Sequence, residues 1–173
     1  MRKTLTIVVI HDNSAGRVQA TLACDRLVER FWSECEFEVN WWPCDILSQH
    51  HSATEAMSKA ITADIILFAF QSATELPNAV KEWIETWLSQ RGEREGALVD
   101  LASRADQAHE TAANRHFYLR QVAHRGGMDY LTREPQNLTW SCPDSLDAFA
   151  ARADKMTTVL DQILHTETVP AAP

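Results

Sequence analysis

Asn13, Ser14, Gly16 and Arg17 stand together between an apolar run and an amphipathic one. Their types are those of an anion cradle: the free amides and positive pole at a helix start favour a phosphate-like group. The same Asn and Ser serve equally as ordinary helix caps. A second polar set, Gln71, Ser72 and Thr74, follows the most uniformly apolar run of the chain, Ile65 to Phe70. A third, Ser103, Arg104, Asp106 and His109, follows residues 96–101. There Arg104 and His109 are candidates to meet an anionic ligand, with solvated loop residues as the alternative. Asp100 reads as a site carboxylate or as a cap or loop hydrogen-bond acceptor.

Metal and thiol chemistry find little support. The side chains of adjacent His50 and His51 diverge, with no third ligand near in sequence. His116 and His124 are too far apart on one helix to share an ion. Cys24, Cys35, Cys44 and Cys142 form no C-x-x-C pair and read as reduced packing residues.

The elements that must position these residues alternate along the chain. Leu5 to Ile10 is a short β-branched run, the pattern of a strand covered on both faces. After the 11–16 turn, Val18, Leu22, Val28 and Phe31 or Trp32 mark one face of a first helix. Glu36 to Trp42 begins with the alternation of a half-exposed, edge-type strand and is closed by Pro43. Trp41 and Trp42 point to opposite sides of it, which offers one of them to a partner interface or a ligand rim. Ser52 and Glu55 form a capping-box pattern ahead of a second helix with Ala56, Met57, Ala60 and Ile61 on its apolar face.

Ile65 to Phe70 is the expected central strand. Leu76, Val80, Trp83, Ile84, Trp87 and Leu88 then make a helical stripe that ends at Arg91-Gly92. Residues 96–101 predict a fourth strand, and 103–114 a long loop or a loop with a partly formed helix. Phe117, Leu119, Val122 and Ala123 continue into a fourth helix, stopped by Gly126-Gly127 before a short strand at 128–132. A fifth helix is predicted from the stripe running from Leu146 to Leu164. Residues 1–165 are expected to form a single domain, with a frayed tail at 166–173.

A chain of 173 residues with a net charge of −8 suits one domain with one sizeable core. The acidic balance argues against nucleic acid or an anionic membrane surface as partner. The amino-terminal apolar run is too short for a secretion signal and runs into Asp12, so a soluble, cytoplasmic protein is expected.

Alternating strands and helices with right-handed crossovers imply a parallel sheet with helices on both faces, and the common five-strand solution has order 2-1-3-4-5. A small-molecule ligand would then sit in the crevice at the carboxyl ends of strands 1, 3 and 4.

Within that frame, Ala63-Asp64-Ile65-Ile66 and Leu76-Pro77-x-Ala79-Val80-Lys81-x-x-Ile84-Glu85 resemble the NAD(P)H-dependent FMN reductases of the flavodoxin-like superfamily. So do Leu98-Val99, Arg115, Leu119-Arg120-Gln121-Val122 and Gly127-Met128-Asp129. The resemblance covers most of the chain up to strand 5 and implies a flavodoxin-like three-layer α/β sandwich, with FMN as cofactor and oxidoreductase activity. By position it implies that Ser14, Gly16 and Arg17 belong to the loop that holds the FMN phosphate and Phe70 through Thr74 to the loop that cradles the flavin ring, with Gln71, Ser72 and Thr74 as its polar members; Asn13 and Arg104, singled out by their types, complete the candidate cofactor-binding set. Phe70-Gln71-Ser72-Ala73-Thr74 departs from the family's Pro-Glu-Tyr-Asn-Gly type of loop, lacking its aromatic, asparagine and glycine.

That degenerate loop defines the alternative: a cofactor-free relative, flavodoxin-like or receiver-like, that uses the crevice or an exposed helix for protein interaction, a homodimer included. Receiver phosphotransfer is not expected. Strand 3 ends in Phe68-Ala69-Phe70 with no carboxylate to accept a phosphoryl group, and Thr132-Arg133 stands where a receiver's lysine would be.

Overall fold

A computed structural model describes residues 2–71, 75–101 and 110–132. The elements are β1 (Lys3–His11), α1 (Ser14–Phe31), β2 (Cys35–Pro43), a 3-10 turn (Cys44–Ser48), α2 (His50–Thr62), β3 (Ile65–Ala69), α3 (Asn78–Arg91), β4 (Ala97–Asp100), α4 (Glu110–Arg125) and β5 (Asp129–Thr132). The expected helix at 146–164, the tail and Cys142 lie outside the described residues.

All strand pairs are parallel and the order is β2-β1-β3-β4-β5, so the fold is flavodoxin-like, with β2 at an edge as its alternation predicts. Cross-strand rows build the two faces. Trp41, Val9, Leu67, Val99 and Leu131 align on the face that α1 covers, and Trp42, Ile10, Phe68, Asp100 and Thr132 on the face that α2, α3 and α4 cover. The two tryptophans therefore do point to opposite sides, and both are half-buried.

The helix phases correct parts of the sequence reading. On α1, Val18 and Leu22 are 59% and 53% exposed and Trp32 is 63% exposed; Gly16, Ala20, Ala23, Cys24 and Phe31 face the sheet instead. Small residues let the helix axis approach the strands closely, as at Gly16 against the Ala69 carbonyl. Helix α2 starts at His50 with Gln49 as its cap, so Ser52 and Glu55 lie within the helix and the capping box does not form. The 3-10 turn delivers the chain into the helix before Ser52 is reached.

Helix α4 begins at Glu110, inside the stretch expected as a loop or a loop with a partly formed helix, and buries Ala112, Arg115, Leu119, Val122 and Ala123. Phe117, expected inside, is 63% exposed because it lies off that stripe. Helix α3 keeps its predicted face: Val80, Trp83, Ile84 and Trp87 are buried, with the two indoles edge-to-face at 6.0 Å. Gly92 ends it at φ 66°, a conformation that glycine adopts without steric cost.

At the amino edge of the sheet, the buried Arg91 ties α3 to the end of α2. Its guanidinium donates to the carbonyls of Ala60 and Ala63, each at 2.8 Å, and of Glu95 at 3.0 Å. Burial lowers its pKa to about 10, still well above neutrality. Asp64 beside it accepts from the Thr6 amide at 2.9 Å, which links the starts of β1 and β3. Arg91→Ala leaves buried carbonyls unpaired and should cost on the order of 3 kcal/mol. The check is a lowered denaturant midpoint at unchanged slope; a shift equivalent to less than about 0.5 kcal/mol would contradict this role.

Candidate functional site

The crevice at the carboxyl edge starts where β1 gives way to α1. Asn13 takes an extended conformation, and its side-chain oxygen accepts from the Gly16 amide at 3.0 Å, while its carbonyl accepts from Arg17 N at 3.0 Å. Asn13 is thus a true helix cap, and the amides of Ser14 and Ala15 keep no acceptor within the helix. Gly16 is buried against β3. A Cβ there would collide with the Ala69 carbonyl and come within 2.7 Å of Asp12 Oδ1. Arg17 lies at the exposed rim with its guanidinium 5.5 Å from the Trp41 ring centroid. Asn13, Ser14, Gly16 and Arg17 thus lie at the start of α1, with Asn13 in the helix-cap role that was one of its two sequence readings.

Two residues of this turn were not singled out as site residues. Asp12 bridges the first and third strands: its amide donates to the Ala69 carbonyl at 3.3 Å, and its Oδ2 accepts from the Gln71 amide at 2.7 Å. His11 ends β1 in a row with Pro43 and Ala69, buried on the α1 face, and neither ring nitrogen has a hydrogen-bond partner of good geometry. Burial lowers its pKa, with Arg17 adding to the effect; the Asn13 backbone, Asp12 and Asp45 pull the other way.

Gln71 is held from its other side as well. Its carbonyl accepts from Arg115 Nη1 at 3.0 Å, so both ends of this backbone segment are engaged by side chains. Arg115 is buried on α4, 5.8 Å above the Phe70 ring, with its Nε 3.9 Å from Asp100 Oδ1. Asp100 is fully buried in the row beneath α4. It pairs with Arg115 of α4, a partner that neither sequence reading named. The Tyr130 hydroxyl makes a long 3.5 Å contact to Asp100 and lies 2.7 Å from His116 Nδ1, and burial first, then Asp100, pushes its pKa up.

The signal for this network was present: Arg115 falls on the apolar stripe of α4, and Asp100 ends an apolar strand. Ser72, Thr74 and Arg104 lie outside the described residues. A cavity of about 130 Å³ lies between α3 and α4, lined by residues including Glu75, Lys81, Asn114 and Arg115.

Burial pushes the Cys24 thiol up to about 11 and raises Cys35 and Cys44, so none of the three is a ready thiolate. Among the described residues no group of three or more metal-ligating side chains converges, and no helix is long and apolar enough to cross a membrane.

No protein-family model matches the chain, and no curated protein matches it. Among solved structures it is similar to the apo form of an NADH:FMN oxidoreductase, EMOB, at 16% identity and a TM-score of 0.48, over 98% of this chain and 92% of that one.

Gly16→Ala should destabilise the protein by about 1–3 kcal/mol, because the backbone carbonyl of Ala69 cannot step aside as a flexible side chain would. A thermal melt equal to wild type would show that α1 does not sit this closely on β3. His11 supplies a pH dependence. Its folded pKa lies below the ordinary 6.5, so the unfolded chain binds a proton that the folded one resists. Stability is then full above about pH 6.5 and falls as the pH drops below it; His11→Leu should flatten the slope between pH 7 and 5, measured by urea unfolding. An equally steep slope in the variant would assign the effect elsewhere.

Proposed function

We propose that this flavodoxin-like chain binds FMN at the switch point between β1 and β3 and acts as an NAD(P)H-dependent reductase. The observation that carries the reading is the amino end of α1, seated on β3 through Gly16, with the Ser14 and Ala15 amides at that end and Arg17 at the rim. In folds of this strand order ligands bind outside the carboxyl ends of the strands, where the order reverses. The residues present fit a phosphate monoester there: two amides, the Ser14 hydroxyl and one guanidinium are the donors that such a group takes.

Both ends of the Gln71 backbone are engaged, so Gln71 has its side-chain amide to offer to a ring edge. Ser72, Thr74 and Arg104 belong to this reading by position. The bound flavin would supply the redox chemistry, accepting hydride from the nicotinamide. The protein's part is to hold the phosphate, orient the ring and limit water around it.

Asp12 favours the second reading, a cofactor-free module that works through protein interaction. Its carboxylate is fixed close to the helix start, where it opposes a dianion. A visible spectrum of the purified protein, followed by FMN titration, separates the two. The first reading expects flavin bands or quenching of FMN fluorescence. It also expects Arg17→Ala to weaken FMN about tenfold, as loss of one charge-assisted hydrogen bond does, and to leave riboflavin affinity unchanged. No bands and no quenching would sink it.

A further inference from the structure

Arg115 poses a problem of purpose. Removing a guanidinium and a carboxylate from water costs several kcal/mol per ion, and a well-packed apolar pair often stabilises a core as well or better. Arg115 and Asp100 are nonetheless both fully buried among α4, β3 and β4. What an apolar pair cannot supply is a directed donor. Here that donor meets the carbonyl of Gln71, just beyond the end of β3, while Asp12 accepts from the amide of the same residue. The two holding groups come from different parts of the fold: Asp12 from the end of β1, and Arg115 from α4, which packs on the opposite face of the sheet from α1.

We propose that Arg115 is a positioning residue for the Gln71 backbone at the end of β3. Its guanidinium, oriented by Asp100, holds the Gln71 carbonyl and so fixes the main chain of that residue at the edge of the crevice in which a planar ring would bind. The ring's identity as a flavin rests on the function proposed above. The clamp itself is a property of the ligand-free protein. Arginine suits the task because its fork can address a carboxylate and a carbonyl in fixed relative directions, which the point charge of lysine cannot.

The test has two arms, using Arg115→Lys, which keeps the buried charge for Asp100, alongside Arg115→Ala. In the first arm, amide exchange is followed by NMR without any ligand. Exchange at Gln71 should accelerate at least tenfold in either variant, while amides of the β1 and β3 interiors keep their protection. Unchanged exchange at Gln71 in a folded variant overturns the proposal; should Arg115→Ala not fold, Arg115→Lys decides.

In the second arm, riboflavin and FMN are titrated into wild type and Arg115→Lys. Both ligands should weaken by a similar factor of about ten, since the affected contact is with the ring, whereas Arg17→Ala weakens FMN alone. Equal affinity in wild type and Arg115→Lys overturns the positioning role. If wild type binds neither flavin, the proposed function fails, and the exchange arm alone confirms or overturns the clamp.

Discussion

The crevice depends on the backbone of one residue, Gln71. Its N–H is held by Asp12 and its C=O by Arg115, so a short stretch of main chain at the end of β3 joins the turn after β1 to a helix packed on the other face of the sheet. Arg115 continues the connection to Asp100 at the end of β4, and Tyr130 extends it to β5 and His116. A parallel sheet leaves its carboxyl ends without ladder partners, and side chains here supply what the ladder cannot. The result is a fixed rim along several strand ends, against which a ligand can be read.

The rest of the fold supports that rim. Small residues on α1 bring its amino end onto β3, where Gly16 lies against the Ala69 carbonyl with no room for a side chain. At the opposite edge, Arg91 and Asp64 tie the end of α2 and the starts of β1 and β3 together. Both edges use a buried arginine addressing backbone carbonyls, one holding helices together and the other holding the main chain at Gln71. The uniformly apolar interior of β3 lies between them and fixes their separation.

Much of this architecture was legible in the chain. Alternating apolar runs and helical stripes led to the strand order, the half-exposed pattern of β2 to its edge place, and Arg91-Gly92 to the end of α3. The phase of α1 was misread because Val18 and Leu22 are the more hydrophobic residues, while close packing on a sheet selects Gly16, Ala20 and Ala23. The start of α4 was left open between loop and partly formed helix because its first turns are polar and alanine-rich, without a period to mark them. The polar residues at the start of α1 stood out by their types alone, being consecutive in sequence. The Gln71 clamp was not, since it joins residues far apart through a backbone acceptor that no side-chain pattern encodes. An arginine on an apolar stripe and an aspartate ending an apolar strand were its visible traces.

An amide chemical-shift map of the protein on addition of FMN tests the central claim most directly, because it reports where a ligand lands independently of any turnover. The account predicts shifts concentrated at Ser14, Ala15, Gly16 and Arg17 and at Gln71, with the interiors of α2 and α3 undisturbed. A map with no shifts, or with shifts confined to exposed apolar positions such as Val18, Leu22 and Phe117, would contradict it.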